Sequence, residues 1–450
     1  MTNQQLVTEV AEVIMIEHSA HLSGTVPVAG AKNAVLVIML SLLLAKGKSV
    51  LKNVPDLSDV RHMISLLEDL GATVTFDAEQ KVLTVDTTNF SGYTVRQQTM
   101  QKMRASILVL GPLLVRQQRA EIALPGGCVL GLRQLDYHFE NFRRLGAIVT
   151  QDQQQLLAIV PASGLQAQRL ALDYPSVGAT ENLLMAATLT PGTTEIVNAA
   201  LEPEVLDLIQ VLQLMGADIA IELPATIKIN GVAALRPVVY TIMPDRLEAG
   251  CLLLAAAATG GELFLPNISP NLLDIVLFKL LEMGHTIQAE RGQPGIWLKA
   301  ARNPKAVSFK TAPYPGFPTD LQAPMLAAQC TAFGVSQIEE TVYENRLTHV
   351  RELIKMGAQI QFTNTKATIT GVDDLYGTEV VASDIRASFA LILAGLIAQG
   401  RTIMHGITHF RRGYDGMERK LQTLGAKITI SNLAELNPAL KPSGLSAERL

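Results

Sequence analysis

Cysteine is scarce in this sequence. The chain holds three, Cys128, Cys251 and Cys330, far apart and odd in number. There is no CxxC pair and no even framework, which excludes a disulfide-stapled scaffold and suits a reducing compartment. Charge is scarce too: 17% of residues are charged against 48% hydrophobic, the pattern of a core-rich protein with little solvated surface to spare. A net charge of −4 argues against a nucleic-acid binder or a membrane-surface protein. Arginines gathered in one cleft would still bind an anion. Long apolar runs are missing: Leu36–Ala45 and Cys251–Ala258 are too short to span a bilayer. The opening Met1-Thr2-Asn3-Gln4-Gln5 lacks the basic and apolar stretches of a signal peptide, so a cytoplasmic chain is expected.

Standard cofactor and metal motifs are missing as well. Gly47-Lys48-Ser49 hints at a phosphate loop, but Leu42 stands where that loop needs glycine. No GxGxxG opens a helix after a strand, and the eight histidines include no HExxH. His405 and His409 are four apart in a segment that reads as strand and loop, so no metal site and no cofactor are expected.

What is present is repetition. Leu-Gly-Ala, or a near variant, closes a helical segment at Gly71, Gly146, Gly216, Gly284, Gly357 and Gly425, at intervals of 75, 70, 68, 73 and 68 residues. The preceding segments are amphipathic, as in Val60–Leu70, Val205–Met215 and Met417–Leu424, and each glycine fits a left-handed helix terminus. Alternating residues follow, as in Thr73–Phe76 and Lys427–Ile430, and predict strands. Each unit also carries an earlier helix that is apolar nearly all round: Asn33–Ala45, Ala105–Val115, Thr180–Thr188, Leu247–Ala258, Leu321–Ala332 and Arg386–Ala398. A helix without a polar face belongs in a core. The expected architecture is α/β with buried helices and outer sheets, in two domains of three units and a boundary near Met243-Pro244-Asp245-Arg246. A tail from about Ser431 is expected to be disordered.

Chemistry concentrates in Leu124-Pro125-Gly126-Gly127-Cys128-Val129-Leu130-Gly131-Leu132-Arg133. Its glycines predict a mobile lid loop, with a thiol at its centre and an arginine five residues on that would favour a thiolate or hold an anion. Basic residues recur at the starts of the buried helices: Lys32, Arg104, Arg246 and Arg386. A cation there opposes the helix dipole. It serves either an anionic substrate or an ion pair with a neighbour such as Asp245 or Asp384. Asp320 and Asp384 stand at matching turns, each as a base or as a helix cap.

These residues bring a family into view. Gly30-Ala31-Lys32-Asn33-Ala34, Met103-Arg104-Ala105-Ser106, Pro125-Gly126-Gly127-Cys128 with Arg133, Ser176-Val177-Gly178-Ala179-Thr180, Glu202-Pro203-Glu204, Phe317-Pro318-Thr319-Asp320, Glu344-Asn345-Arg346 and Arg412-Gly413-Tyr414 occur in the order of the UDP-N-acetylglucosamine 1-carboxyvinyltransferase family, which the chain resembles from about Ile16 to Ile430. The resemblance implies an inside-out α/β barrel fold in two domains: 32–243, carrying the Cys128 loop, and 1–31 with 244–430. It implies transfer of enolpyruvyl from phosphoenolpyruvate to the 3′-hydroxyl of UDP-N-acetylglucosamine, with no nucleic-acid or membrane partner. By the same resemblance Cys128 is the acid or covalent partner and Asp320 the base. Lys32, Asn33, Arg133 and Arg412 hold phosphoenolpyruvate. Arg104, Arg133, Asp136, Ser176, Val177, Asp320 and the backbone near Val342 contact the nucleotide sugar. Asp384 and Arg386 complete the closed cleft.

Departures from the family pattern are Tyr174 for a lysine, Gln134 for a proline, Leu201 for an arginine and Arg411 for an acid. They allow one alternative, a non-catalytic paralogue that binds nucleotide sugar; a second is the sister 3-phosphoshikimate 1-carboxyvinyltransferase, which shares the fold. The sister enzyme's Gly-Asn-Ala-Gly-Thr signature is absent here. The cysteine reading makes a direct prediction. An epoxide analogue of phosphoenolpyruvate should add one adduct, on Cys128, in intact-protein mass spectrometry, and an adduct on Cys251 or Cys330 would move the chemistry elsewhere.

Overall fold

A computed structural model describes residues 12–123, 136–152, 155–290 and 292–432. Six four-stranded sheets share one strand order. In the third unit Arg169–Ala171 runs parallel to Thr193–Val197, which pairs antiparallel with Thr226–Asn230, which pairs antiparallel with Asp218–Glu222. Among the described residues no strand order closes a sheet on itself. The inside-out character comes from separate sheets laid around helices.

Three segments supply strands to units distant in sequence. Val239–Thr241 follows the third unit and pairs parallel with Lys48–Lys52 of the first. Ser23–Thr25 pairs parallel with Glu262–Leu265. Glu12–Glu17 enters the last sheet between Arg401–His405 and Lys427–Asn432. Each set of three units therefore closes on itself, and buried apolar residues fall into two clusters. One is drawn from Ala31 to Ile242, the other from Ile14–Val28 together with Leu247–Ile428. The final strand runs to Asn432, with Ser431 and Asn432 paired to Val13 and Glu12, so these two residues are strand where a disordered tail was expected from about Ser431. Residues 433–450 lie outside the described residues.

The repeated Leu-Gly-Ala has one physical cause. Each glycine takes φ between +93° and +107°, as the expected helix terminus requires. Its N–H bonds back three residues, and the next residue's N–H bonds back five: Gly71 to Glu68 and Ala72 to Leu67, Gly146 to Arg143 and Ala147 to Phe142, and likewise at the other four sites. The residue after each glycine is buried, so alanine is the usual choice and His285 the exception.

The six apolar helices fill the two centres. Arg246–Ala258 is buried from Arg246 through Ala257, and Ile385–Ile397 from Arg386 through Leu396. These two pack against each other and against Gln322–Gln329. In the first core the 3-10 turn Arg104–Val109 runs into Leu110–Gln117 and lies against Lys32–Ser41 and Val177–Ala187. Buried Asn182 joins these pieces. Its Oδ1 accepts from Gly111 N–H at 2.6 Å and its Nδ2 donates to Ile107 C=O at 3.1 Å. One side-chain amide thus replaces the helical bond between those two residues.

Buried carboxylates are the cost of this compactness. Asp207, on the helix Pro203–Met215, accepts from Tyr240 Oη at 2.5 Å. Burial raises its pKa from 3.8 to about 6. Above pH 6 the carboxylate is charged both folded and unfolded, and the folded state bears the desolvation cost; below pH ~4 it is neutral in both and the cost vanishes. Asp207→Asn should therefore stabilise the fold at pH 8, by up to about 3 kcal/mol, with the gain shrinking towards pH 5. Urea unfolding at the two pH values checks this, and a gain independent of pH would contradict it.

Candidate active site

Two charged hubs lie where the cores meet. The first is Asp59, in the first turn of the helix Ser58–Asp69 and 2% exposed. It accepts from Lys32 Nζ at 2.7 Å and from Arg412 Nε at 2.9 Å. Lys32 opens the first core's leading helix, whereas Arg412 is carried by Ile407–Gly413 of the second. Burial pulls the Lys32 pKa down, and Asp59 opposes that pull without cancelling it. Burial would raise Asp59, but Lys32 and Arg412 outweigh it and hold the carboxyl below its ordinary range.

The second hub is Asp320, in the 3-10 turn Thr319–Leu321. Arg346 Nη2 donates to Oδ1 at 2.6 Å and Arg386 Nη2 to Oδ2 at 2.7 Å. Burial pushes this carboxyl up, but the two guanidiniums win by a wide margin and hold it far below the carboxylate range. Arg346 Nη1 also donates to Thr319 Oγ1 at 2.8 Å, and Thr319 donates to Glu340 Oε2 at 2.8 Å. The other Glu340 oxygen accepts from Val342 and Tyr343 N–H. Arg386 Nη1 reaches Tyr414 Oη at 3.4 Å, and Cys251 Sγ lies 3.6 Å from that oxygen. Together the hubs hold four cations against three carboxylates, Asp59, Asp320 and Glu340, a net charge of about +1. Such a site favours a ligand with several negative charges.

The two expected acids divide their roles. Asp384 caps Ile385–Ile397, accepting from Arg386 and Ala387 N–H at 2.8 and 3.0 Å. Asp320 caps nothing. Arg246 is buried against Glu204 through bonds of 2.9 and 3.1 Å beside a small pocket edged by Leu273 and Tyr314, and its hydrogen-bond partner is not the adjacent Asp245. Asn33 is exposed beside Lys32. Ser176 accepts from Ala179 N–H at 3.4 Å to cap Val177–Ala187, and Val177 is half-buried against the first core. The N–H of Val342 is occupied by Glu340. Arg104 opens its 3-10 turn and Asp136 opens the helix Asp136–Arg144. Their side chains lie outside the described residues, as do Cys128, Arg133 and Gln134.

His409 sits on a helix and not in a loop, and the neighbouring His405 faces Glu379 at 3.5 Å. Of the departures, Arg411 turns outward and forms a two-bond surface pair with Glu12, which explains a base at that position. Leu201 packs against the first core. Asp59, Arg346 and Glu340 were not legible as site residues. Asp59 reads as an ordinary first-turn acid, and the only signal for Arg346 was its place in Glu344-Asn345-Arg346.

Comparison with known proteins bears on this geometry. The family described as EPSP synthase (3-phosphoshikimate 1-carboxyvinyltransferase) matches residues 16–421. A UDP-N-acetylglucosamine 1-carboxyvinyltransferase 1 from Caldanaerobacter subterraneus subsp. tengcongensis is 46% identical over 414 residues, 92% of this chain and 98% of the relative. A UDP-N-acetylglucosamine 1-carboxyvinyltransferase from Dichelobacter nodosus is 46% identical over 417 residues, 93% and 98% of the two chains. The chain belongs to the UDP-N-acetylglucosamine 1-carboxyvinyltransferases, within the EPSP synthase family. Among solved structures, the enolpyruvyl transferase NikO from Streptomyces tendae superimposes with a TM-score of 0.84 at 24% identity, covering 94% of this chain and 99% of the other. EPSP synthase from Acinetobacter baumannii gives 0.73 at 18% identity, covering 94% and 100%. These likenesses establish the two-domain α/β fold of the family.

The Asp59 hub makes a prediction of its own. Asp59→Asn strands Lys32 in a buried position and should destabilise the fold by about 3–5 kcal/mol at pH 7. Lys32→Met in the same chain removes the stranded charge and should recover much of that loss. A double-mutant cycle in urea measures the coupling, and additive losses would show that the pair does not form in solution.

Proposed function

We propose that the chain transfers the enolpyruvyl group of phosphoenolpyruvate to the 3′-hydroxyl of UDP-N-acetylglucosamine and releases phosphate, the first committed step of peptidoglycan synthesis. The observation that carries the reading is the pair of cation-rich hubs at the meeting of the two cores, in a chain of this family. The two substrates bring about six negative charges together, so their approach needs cations whose own partners can be exchanged.

Lys32 and Arg412 take the phosphate and carboxylate of phosphoenolpyruvate in place of Asp59, with Asn33 and Arg133 beside them. The sugar hydroxyl adds to carbon 2 while carbon 3 gains a proton. Elimination then removes a proton from carbon 3 and expels phosphate from carbon 2, restoring the double bond. Cys128 is the acid or covalent partner, and Asp320 takes the hydroxyl proton. A carboxylate gripped by two guanidiniums is a weak base. Asp320 becomes an effective one when a substrate anion draws Arg346 or Arg386 away. Arg104, Asp136, Ser176, Val177 and the Val342 carbonyl face the nucleotide sugar. Asp384 acts by capping the helix that presents Arg386. The segments 32–243 and 1–31 with 244–430 are the two closing domains. The enzyme works in the cytoplasm and needs no metal or cofactor.

Phosphate release should require both substrates together. Asp320→Asn should lower kcat by at least about 100-fold while both substrates still bind, the cost of losing a general base. Release with either substrate alone, or a variant that keeps most of its kcat, would overturn the assignment.

A further inference from the structure

The chain crosses between its two cores twice, and the crossings are bonded to each other. Ala31 N–H donates to Met243 C=O and Asp245 N–H to Ala29 C=O, both at 2.8 Å. Gly30 bridges Pro244 between them. The seam is tightly packed: a Cβ on Gly30 would stand 1.8 Å from the carbonyl oxygen of Asn53, whose side chain in turn donates to Ile242 C=O at 3.0 Å.

One carboxylate ends both crossings. Oδ1 of Asp245 accepts from Leu247 and Glu248 N–H at 2.8 and 3.1 Å, capping Arg246–Ala258. Its Oδ2 accepts from Lys32 N–H at 3.2 Å, the first residue of Lys32–Ser41. Those helices lead the two different cores. Asp245 itself is buried. We propose that Asp245 is a positioning residue for the transfer reaction, a hinge pin that caps the leading helix of each half and holds Lys32 in register with the second half. Opening the halves separates Asp59 from Arg412, which sit on opposite sides. It leaves the backbone of Lys32 where Asp245 holds it. Lys32 is then the fixed point of the phosphoenolpyruvate site and Arg412 the moving one. This rests on the enolpyruvyl-transfer reading for its kinetic consequence and on geometry alone for its structural one.

Asp245→Ser separates the two caps. Serine caps its own helix well, but its shorter side chain falls short of Lys32 N–H. Amide exchange should accelerate about tenfold or more at Lys32 while protection along Arg246–Ala258 is kept. The KM for phosphoenolpyruvate should rise about tenfold, with kcat and the KM for the nucleotide sugar nearly unchanged. Asp245→Asn, with the same volume and one remaining acceptor oxygen, carries the same test should the serine variant fail to fold. Unchanged exchange at Lys32 would overturn the hinge pin whether or not the chain turns over. Faster exchange with both KM values raised equally would reduce Asp245 to a structural cap. An unmutated chain that releases no phosphate would fail the functional reading and leave the exchange result standing.

Discussion

A helix that is apolar on every side cannot rest on a surface, and this chain has six of them. Enclosing each one needs neighbours all round, which two trios of helices wrapped by three sheets apiece provide. The rest of the architecture follows from that constraint. Strands must come from outside the local unit to finish each ring, so Glu12–Glu17, Ser23–Thr25 and Val239–Thr241 travel far in sequence to their sheets. The chain must then cross between the rings at the seam around Gly30 and Pro244.

Enclosure also decides where charge goes. Side chains within these helices are buried, so their polar groups gather at the N-terminal ends. There Lys32, Arg246 and Arg386 meet carboxylates from other elements: Asp59, Glu204 and Asp320. Helix dipoles and cations at one place make a positive focus. The resting chain balances it with its own acids, two as helix caps and two as hubs. Taking the cations from a hub acid would leave that carboxylate without its ion-pair partners, so in the resting fold each hub is held by the cost of a bare buried charge.

Much of this was legible in the residues. The period of the Leu-Gly-Ala signal, the left-handed glycines and the apolar helices are local properties, set by backbone sterics and by which faces of a helix repel water. They led directly to six units and a buried-helix fold. Of the alternatives for the helix-terminal charges, ion pairing is what the resting fold shows, but with Glu204 and Asp320 in place of the neighbouring Asp245 and Asp384. Asp384 and Asp320 stand in similar turns, yet one caps a helix and the other binds two arginines. Arg246 and Arg386 open similar helices, yet one pairs with Glu204 of the first core and the other with Asp320 of the second.

By itself, then, the sequence determined the unit, its count, the burial of its helices and, through motifs in a fixed order, the family. The tertiary structure decided the pairings. Asp59 meets Arg412 across 353 positions, and Asp245 meets Lys32 across 213. Local pattern carries no information over such separations, because a carboxylate's partner depends on which helix ends the closed fold brings within about 3 Å.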